Sequence, residues 1–235
     1  MSTIREFWKR AGRGARTGFR AEKLMTTQPN VIAALSKYFG EPIDIKLGIH
    51  GKKADICVSL PKDEKKLQNK NGDSDFHQFG RLSIDQLYEP FRELEASLIP
   101  HRFLNKGITK TRKNRPIYTP FTGSPRQPTV EDAKMLILQT LKGLDPNHEP
   151  THLTNTMVVN GVITTLKIIS LDVFIEEVNK RVITPVVKSS GTVVDLGAGF
   201  TIQFHGSHLG DDNPDHVQVK FDATTTDPYP FETIL

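Results

Sequence analysis

Apolar and polar residues alternate most regularly in the segment 43–49, where every second residue is isoleucine or leucine. A strand places successive side chains on opposite faces, so this pattern predicts a strand with one buried face. After a short turn at 51–53, a largely apolar run returns at 54–60. We therefore expect the two segments to pair as an antiparallel hairpin.

Apolar residues spaced three and four apart predict three helices, over 27–40, 83–98 and 129–142. Pro29 suits the first turn of the first helix, whereas Pro90 should kink or split the second. Thr129 can cap the third helix, with Asp132 three residues later as its capping-box partner.

Two stretches between these elements are predicted to be loops. Residues 61–75 are polar, with charges of both signs, and we expect them to be solvated. Residues 100–128 contain five prolines and two glycines. Loops of this length tend to be functional or disordered.

The last third of the chain is predicted to be rich in strands. Asn160 and Gly161 form a type I′ turn signal between apolar runs, which indicates a hairpin over 156–169. A glycine-rich turn near 197 suggests a second hairpin, and 216–221 alternates as a further strand. The pattern of 171–182 is compatible with a helix or a strand.

These elements predict an α+β fold with one or more mixed antiparallel sheets and three to four helices. Three regions follow from the pattern: a flexible basic arm at 1–24, an α+β part at 25–128 that includes the loop 100–128, and a helix followed by a β-rich part at 129–235. The chain of 235 residues has a single cysteine, Cys57, which excludes an intrachain disulfide and suits an inert, buried thiol.

Charge is strongly segregated along this chain. Residues 1–24 carry a net charge of +5 and residues 96–130 a net charge of +7, whereas the whole chain carries +4, so the remainder carries −8. The basic residues of the two stretches are Arg5, Lys9, Arg10, Arg13, Arg16, Arg20 and Lys23, and then Arg102, Lys106, Lys110, Arg112, Lys113, Arg115 and Arg126. Such segregation points to a polyanionic partner.

The N-terminal stretch is predicted to be a short amphipathic helix ending near Ala11, followed by a flexible tether. Phe7 and Trp8 lie on its apolar side. This composition suits an anionic membrane surface. It also suits the phosphates of nucleic acid, with Trp8 stacking on a base. A mitochondrial presequence and a solvated tail are the remaining alternatives.

Two motifs resemble catalytic signatures. The segment 148–152 matches the H-E-x-x-H pattern of zinc peptidases, but Pro150 opposes the helix which that site needs, so a surface turn is the better interpretation. The segment 193–199 resembles the first motif of S-adenosylmethionine-dependent methyltransferases. Because a strand-like run follows it directly, a hairpin turn is preferred.

A polar loop near the C-terminus contains residues that bind metals in other proteins. His205, His208, Asp211, Asp212 and His216 have spacings compatible with zinc or manganese. Loops between strands often contain such residues without a metal, so the sequence predicts neither a metal nor another cofactor. A metal-dependent hydrolase using this cluster is kept as an alternative.

The C-terminal residues match a short peptide pattern. Glu232, Thr233 and Leu235 fit the tails that PDZ domains bind by adding a strand to a sheet edge. Such a domain is therefore a candidate partner. The alternative is that these residues complete the fold.

A basic arm, a second basic loop, an α+β body and the absence of a convincing catalytic motif together resemble the layout of matrix proteins of negative-strand RNA viruses. The resemblance implies a non-enzymatic, self-associating protein that contacts an anionic lipid surface and a ribonucleoprotein, in the virion or host cytoplasm, or in the nucleus. The main alternative is a capsid or packaging protein that binds RNA or DNA without a membrane role.

Overall fold

The computed structural model describes residues 13–49, 53–72, 76–83, 128–187, 193–205, 216–222 and 228–235. The helices are α1 (Arg13–Thr27), α2 (Pro29–Phe39), α3 (Val130–Lys142) and α4 (Leu171–Lys180), with a 3₁₀ turn at Pro146–His148. The strands are β1 (Asp44–Leu47), β2 (Ile56–Ser59), β3 (Glu64–Asn71), β4 (Phe76–Ser83), β5 (His152–Val159), β6 (Val162–Ser170), β7 (Ile183–Val187), β8 (Val193–Gly197), β9 (Phe200–His205), β10 (His216–Asp222) and β11 (Glu232–Thr233). The predicted α+β fold with a β-rich C-terminal part is confirmed.

The chain divides into two units that are interleaved along the sequence. Unit 1 comprises Met1–Asp75, Lys142–Glu176 and Asp227–Leu235, and unit 2 comprises Phe76–Leu141 and Glu177–Thr226. The sequential division proposed above does not coincide with these bounds. Each unit contains one sheet.

Unit 1 contains a six-stranded sheet in the order β1-β2-β3-β5-β6-β11. Its neighbours are antiparallel except for β3 and β5, which are parallel. A parallel pair needs a long connection, and here the chain passes through unit 2 between the two strands. The predicted hairpin of β1 and β2 is confirmed, with Ile45 opposite Val58.

Helices α1 and α2 contribute to the core of this sheet. The buried cluster consists of Met25, Val31, Leu35, Ile56, Val58, Leu67, Ile163, Leu166 and Ile168. Helix α2 begins at Pro29 and ends before Gly40, which has a φ of 73°. The helix predicted over 27–40 is therefore confirmed, although Thr27 belongs to α1 and Gln28 occupies the cap position without a side-chain capping bond.

The flexible tether predicted before residue 24 is instead helical from Arg13 onward, as helix α1. Ala21 and Met25, one turn apart, are fully buried. A glycine costs a helix about 1 kcal/mol relative to alanine, and burial of a side chain such as methionine contributes about 1.5–3 kcal/mol. Burial of the apolar side therefore outweighs the cost of Gly14 and Gly18. The helix predicted to end near Ala11 lies outside the described residues.

The segment predicted as a solvated loop at 61–75 contains strand β3, which lies inside the sheet of unit 1. Leu67 is its fully buried apolar residue, and β2 and β5 flank it on either side. Pairing with two neighbours satisfies the backbone of a segment whose residue types do not favour strands. The prediction from the local sequence was wrong because β3 forms through pairing with β2 and β5, which a short stretch of sequence does not reveal.

Unit 2 contains a five-stranded antiparallel sheet in the order β4-β10-β9-β8-β7. Its apolar side chains include Phe200 and Phe221, whose rings lie 5.0 Å apart. The predicted capping box of α3 is confirmed, since the Asp132 amide donates to Thr129 Oγ1 (3.1 Å) and the Thr129 amide donates to Asp132 Oδ2 (2.8 Å). Most of the helix predicted over 83–98 and of the loop 100–128 lies outside the described residues.

Candidate functional site

Asp55 lies in unit 1 where strands β2 and β3 begin to separate. Its amide donates to the carbonyl oxygen of Leu67 (2.9 Å), which continues the ladder of the two strands. Its carboxylate Oδ2 then accepts a hydrogen bond from the amide of Asn69 (2.8 Å). The carboxylate thus takes the place of a backbone carbonyl, which anchors a charged group inside the sheet.

A close backbone contact supports Asp55 from the side of β1. The amide of Gly48 donates to the carbonyl oxygen of Asp55 (2.7 Å). A Cβ atom at Gly48 would collide with the carbonyl oxygen of Ala54 and lie 2.9 Å from the carbonyl carbon of Asp55. Glycine is therefore required for this approach.

Strand β3 brings two polar side chains to the same face. Ile56 pairs with Leu67, so Asp55 lies beside Gln68, the next residue along β3. Successive side chains of a strand alternate, which places Gln68 and Lys70 on one face and Asn69 on the other. Gln68 is 4% exposed. An amide and an ammonium group thus accompany the Asp55 carboxylate.

Helix α1 contributes a second carboxylate, Glu22. It follows the buried Ala21 and lies three residues before the buried Met25. Burial, with a smaller contribution from the negative charge of Asp55, raises the pKa of Glu22 to about 7 against the opposing positive charge of Lys70. Asp55 and Lys70 are therefore close enough to Glu22 to influence its ionisation.

Lys53 belongs to the same group of charges. Burial lowers its pKa well below the usual range, with Lys70 lowering it further and Asp55 opposing the change. Burial raises the pKa of Asp55, against the opposite effects of Lys70, the Asn69 amide and Lys53. We call Glu22, Lys53, Asp55, Gln68 and Lys70 the Asp55 cluster. Perturbed ionisation in a cluster of this kind is typical of functional sites.

The Asp55 cluster has the oxygen ligands that a hard divalent cation prefers. Mg²⁺ in enzymes is commonly held by one or two carboxylates together with substrate phosphate and water. Glu22 and Asp55 supply two carboxylates, and Gln68 supplies an amide oxygen. Among the residues that the structure describes, no group of three or more His, Cys, Asp and Glu side chains is arranged to hold a metal ion. Glu22, Asp55 and Gln68 are the side chains of the cluster whose oxygen atoms could hold such an ion, together with substrate and water.

Most basic residues predicted to bind a polyanion lie outside the described residues, namely Arg5, Lys9, Arg10, Arg102, Lys106, Lys110, Arg112, Lys113 and Arg115, as do Phe7 and Trp8. Arg13, Arg16 and Arg20 lie on α1, the helix that carries Glu22. The Arg20 side chain is exposed. One of the two basic segments therefore includes part of the helix that carries Glu22 of the Asp55 cluster.

The H-E-x-x-H segment does not form a helix. His148 ends the 3₁₀ turn, where its Nδ1 lies 2.9 Å from Asp145 Oδ2, and Glu149 forms an ion pair with Lys142 (3.0 Å). His152 begins β5 and is buried against the rings of Tyr38 and Phe39. The two imidazoles thus belong to different elements, in agreement with the rejection of a peptidase site.

The glycine-rich segment 193–199 forms the bend between β8 and β9, with positive φ angles at Gly197, Ala198 and Gly199. This is the predicted hairpin. Two of the predicted metal-binding residues lie on strands: His205 ends β9 and His216 begins β10, and they are Cα partners across the two strands. His208, Asp211 and Asp212 lie outside the described residues.

The C-terminal residues are part of the sheet of unit 1. Glu232 and Thr233 form β11, which pairs with β6. The Leu166 amide donates a hydrogen bond to the carbonyl oxygen of Leu235 (3.0 Å), and the Ile234 amide donates one to the carbonyl oxygen of Leu166 (2.9 Å). These groups already have partners in the fold, which disfavours capture of the tail by a PDZ domain and supports the alternative that the tail completes the fold.

Sequence reasoning missed the Asp55 cluster, although it contained one usable signal. Asp55 is an acidic residue inside the apolar run 54–60, where a charge is costly unless it is paired. The other strand residues, Gln68 and Lys70, lay in the segment interpreted as a loop. Glu22 was counted merely as an acid within the basic arm. The cluster therefore emerges only from the pairing of β2 with β3 and the packing of α1.

No protein-family model and no curated protein matches this sequence. A solved structure, restriction endonuclease MspI in complex with its cognate DNA, is similar over 85% of this chain and 82% of its own, with 11% sequence identity and a TM-score of 0.40. At this level the likeness says nothing of which residues act or on what.

The prediction of a non-enzymatic protein is contradicted by this comparison, in which the matched structure is that of an enzyme. The predicted viral matrix role and lipid partner stay predictions. In the part of the chain that the structure describes, every helix is too short or too polar to cross a membrane.

Proposed function

We propose that the chain is a divalent-metal-dependent phosphodiesterase that cleaves nucleic acid, with Glu22, Asp55, Gln68 and Lys70 as its catalytic centre. The observation that carries the proposal is the Asp55 carboxylate, held by the Asn69 amide where β2 and β3 separate, together with the electrostatic effects of Asp55 and Lys70 on Glu22. The buried amide of Gln68 lies next to Asp55 in the register of β2 and β3. Each of these groups has a use in phosphoryl transfer.

The reaction requires stabilisation of charge on phosphate oxygens. Water attacks the phosphorus atom, the bond from phosphorus to one ester oxygen breaks, the water loses a proton, and the departing oxygen gains one. A bound divalent ion supplies Lewis-acid stabilisation and a more acidic water. Glu22, Asp55 and Gln68 would hold it, and the Lys70 ammonium would donate to a non-bridging phosphate oxygen.

Segregated charge supports nucleic acid as the substrate. The two basic stretches carry +5 and +7 on a chain whose remainder is negative. Phosphate backbones bind such segments by releasing counterions. Because α1 carries Arg13, Arg16 and Arg20 as well as Glu22, phosphates bound along this helix lie next to the catalytic centre.

The proposal is tested with the full chain and two substrates, plasmid DNA and single-stranded RNA, with Mg²⁺ or with EDTA. We expect cleavage of at least one substrate that requires Mg²⁺. Asp55→Asn and Lys70→Met should each lower the rate by about 100-fold or more, because each removes charge that acts in the transition state.

The matched controls are Asp44→Asn and Lys46→Met, which alter an exposed ion pair (2.8 Å) on β1 of the same sheet. They should leave the rate unchanged. Cleavage that persists in EDTA, or an Asp55→Asn variant as active as the wild type, would refute the proposal.

A further inference from the structure

Three polar side chains are buried together between the parallel strands β3 and β5. Asn69, Thr154 and Thr156 are 5%, 1% and 0% exposed. Thr154 Oγ1 donates to Asn69 Oδ1 (3.1 Å), and Asn69 Nδ2 donates to Thr156 Oγ1 (3.2 Å). Thr156 Oγ1 donates in turn to the carbonyl oxygen of Lys70 (3.4 Å). We call these three residues the Asn69 triad.

The Asn69 triad lies on the face of the sheet that carries the buried Leu67. Asn69 shares its side of β3 with the buried Leu67, and Thr154 and Thr156 are opposite Ile168 and Leu166 on β6. Buried polar groups destabilise a protein unless they are hydrogen-bonded, and apolar residues of similar shape are often no less stable. The triad is therefore poorly explained by stability alone.

The register of β3 depends on the triad. Asn69 is the Cα partner of Thr154, and Gln68 and Lys70 flank it. A shift of one residue would move Gln68 or Lys70 into the position of Asn69 and turn the catalytic side chains to the other face. With Asn69 opposite Thr154, the amide and hydroxyl groups match, so the triad favours this register over its neighbours.

The same residue also holds the carboxylate. The backbone amide of Asn69 donates to Asp55 Oδ2 (2.8 Å), while its side chain is held by the two threonines on β5. A displacement of Asn69 would therefore move Asp55, Gln68 and Lys70 together.

We propose that Asn69, Thr154 and Thr156 are positioning residues of the catalytic centre, which fix the register of β3 and the orientation of the Asp55 carboxylate. This inference rests on the proposed function. Groups that orient metal ligands typically change metal affinity or activity by about 10–100-fold when they are altered. The triad should therefore control the response to Mg²⁺ more than it controls folding.

The test uses the full chain with Thr156→Val, Thr156→Ser, and the combined variant Asn69→Leu, Thr154→Val and Thr156→Val. We expect the Mg²⁺ concentration for half-maximal cleavage to rise at least about 10-fold in Thr156→Val and in the combined variant. Thr156→Ser retains the hydroxyl and should behave as the wild type. The unfolding midpoint in urea of the combined variant should equal or exceed that of the wild type.

Thr164→Val, at a position on β6 outside the triad, is the matched control and should change neither quantity. Mn²⁺ binding, followed by electron paramagnetic resonance, provides a readout independent of turnover. Wild-type Mg²⁺ response and Mn²⁺ affinity in a folded combined variant would overturn the positioning role and leave the phosphodiesterase proposal standing. A wild-type chain that neither binds Mn²⁺ nor cleaves nucleic acid would overturn both.

Discussion

Asp55 illustrates how a charged residue can be retained inside a sheet. Its amide extends the hydrogen-bond ladder between β2 and β3 by donating to the carbonyl oxygen of Leu67. Its carboxylate accepts a hydrogen bond from the amide of Asn69, where the two strands separate. The hydrogen bond favours the ionised form, whereas burial opposes it and raises the pKa. A binding partner with positive charge, such as a metal ion, would stabilise the carboxylate. Such a balance between burial and charge occurs at functional sites.

His152 makes a separate prediction about stability and pH. Burial, with a smaller contribution from Lys65, lowers the pKa of His152 to about 4 against the opposing effect of Asp172. An unfolded histidine has a pKa of about 6.5. Between these values the unfolded chain binds a proton that the folded chain does not. The stability from neutral His152 is therefore fully present above about pH 6.5 and is lost as the pH falls toward about 4.

We expect His152→Phe to remove this component. The free energy of unfolding, measured in urea between about pH 4 and 7.5, should fall with acid by up to about 1.4 kcal/mol per pH unit more steeply in the wild type than in the variant. Parallel pH profiles of the two proteins would contradict the assignment.

At the scale of single elements, local signals located most of the described helices and strands. The capping box of α3, the Asn160–Gly161 bend and the hairpin of β1 and β2 are each encoded within a few residues, and each was predicted correctly. The predicted buried face of the first strand was wrong, since Leu47 and Ile49 are 40% and 63% exposed. Strand β3 and the catalytic centre depend on partners far away in sequence. The sequence near β3 does not indicate that Thr154 and Thr156 will form hydrogen bonds with Asn69. The polar composition of β3 therefore pointed to a loop.

The cap of α3 is a test at this scale. Thr129→Ala removes both the hydroxyl that accepts the Asp132 amide and its bond to Asp132 Oδ2 (2.8 Å). We expect the free energy of unfolding in urea to fall by about 1 kcal/mol. Thr129→Ser keeps the hydroxyl and should retain most of the stability, and an equal loss in both variants would count against the capping interaction.

For the whole molecule, the segregated charge predicts that binding and cleavage can be separated. Replacing Arg112, Lys113 and Arg115 with glutamine should weaken binding to nucleic acid and reduce the slope of log K against log salt by up to about 0.9 for each phosphate that is no longer neutralised. The Mg²⁺ concentration for half-maximal cleavage should stay unchanged, because the Asp55 cluster is intact. Fluorescence anisotropy over a salt series measures the first quantity.

Lys46→Gln, at an exposed position on β1, is the control for that experiment and should leave the salt slope unchanged. An unaltered slope in the triple variant would exclude this part of the basic loop from the binding surface. Flotation with phosphatidylserine vesicles examines the lipid prediction separately, since hydrolysis of nucleic acid does not require a membrane.

The interleaving of the two units has a consequence for synthesis of the chain. Strand β3 leaves the ribosome about 80 residues before its parallel partner β5, which corresponds to roughly 4–16 seconds of translation at typical rates. During that time one edge of β3 is exposed, as in an edge strand. Such edges aggregate readily when they are apolar, and charged residues prevent it. The lysines and amides of β3 can thus protect the nascent chain until β5 arrives to complete the catalytic centre.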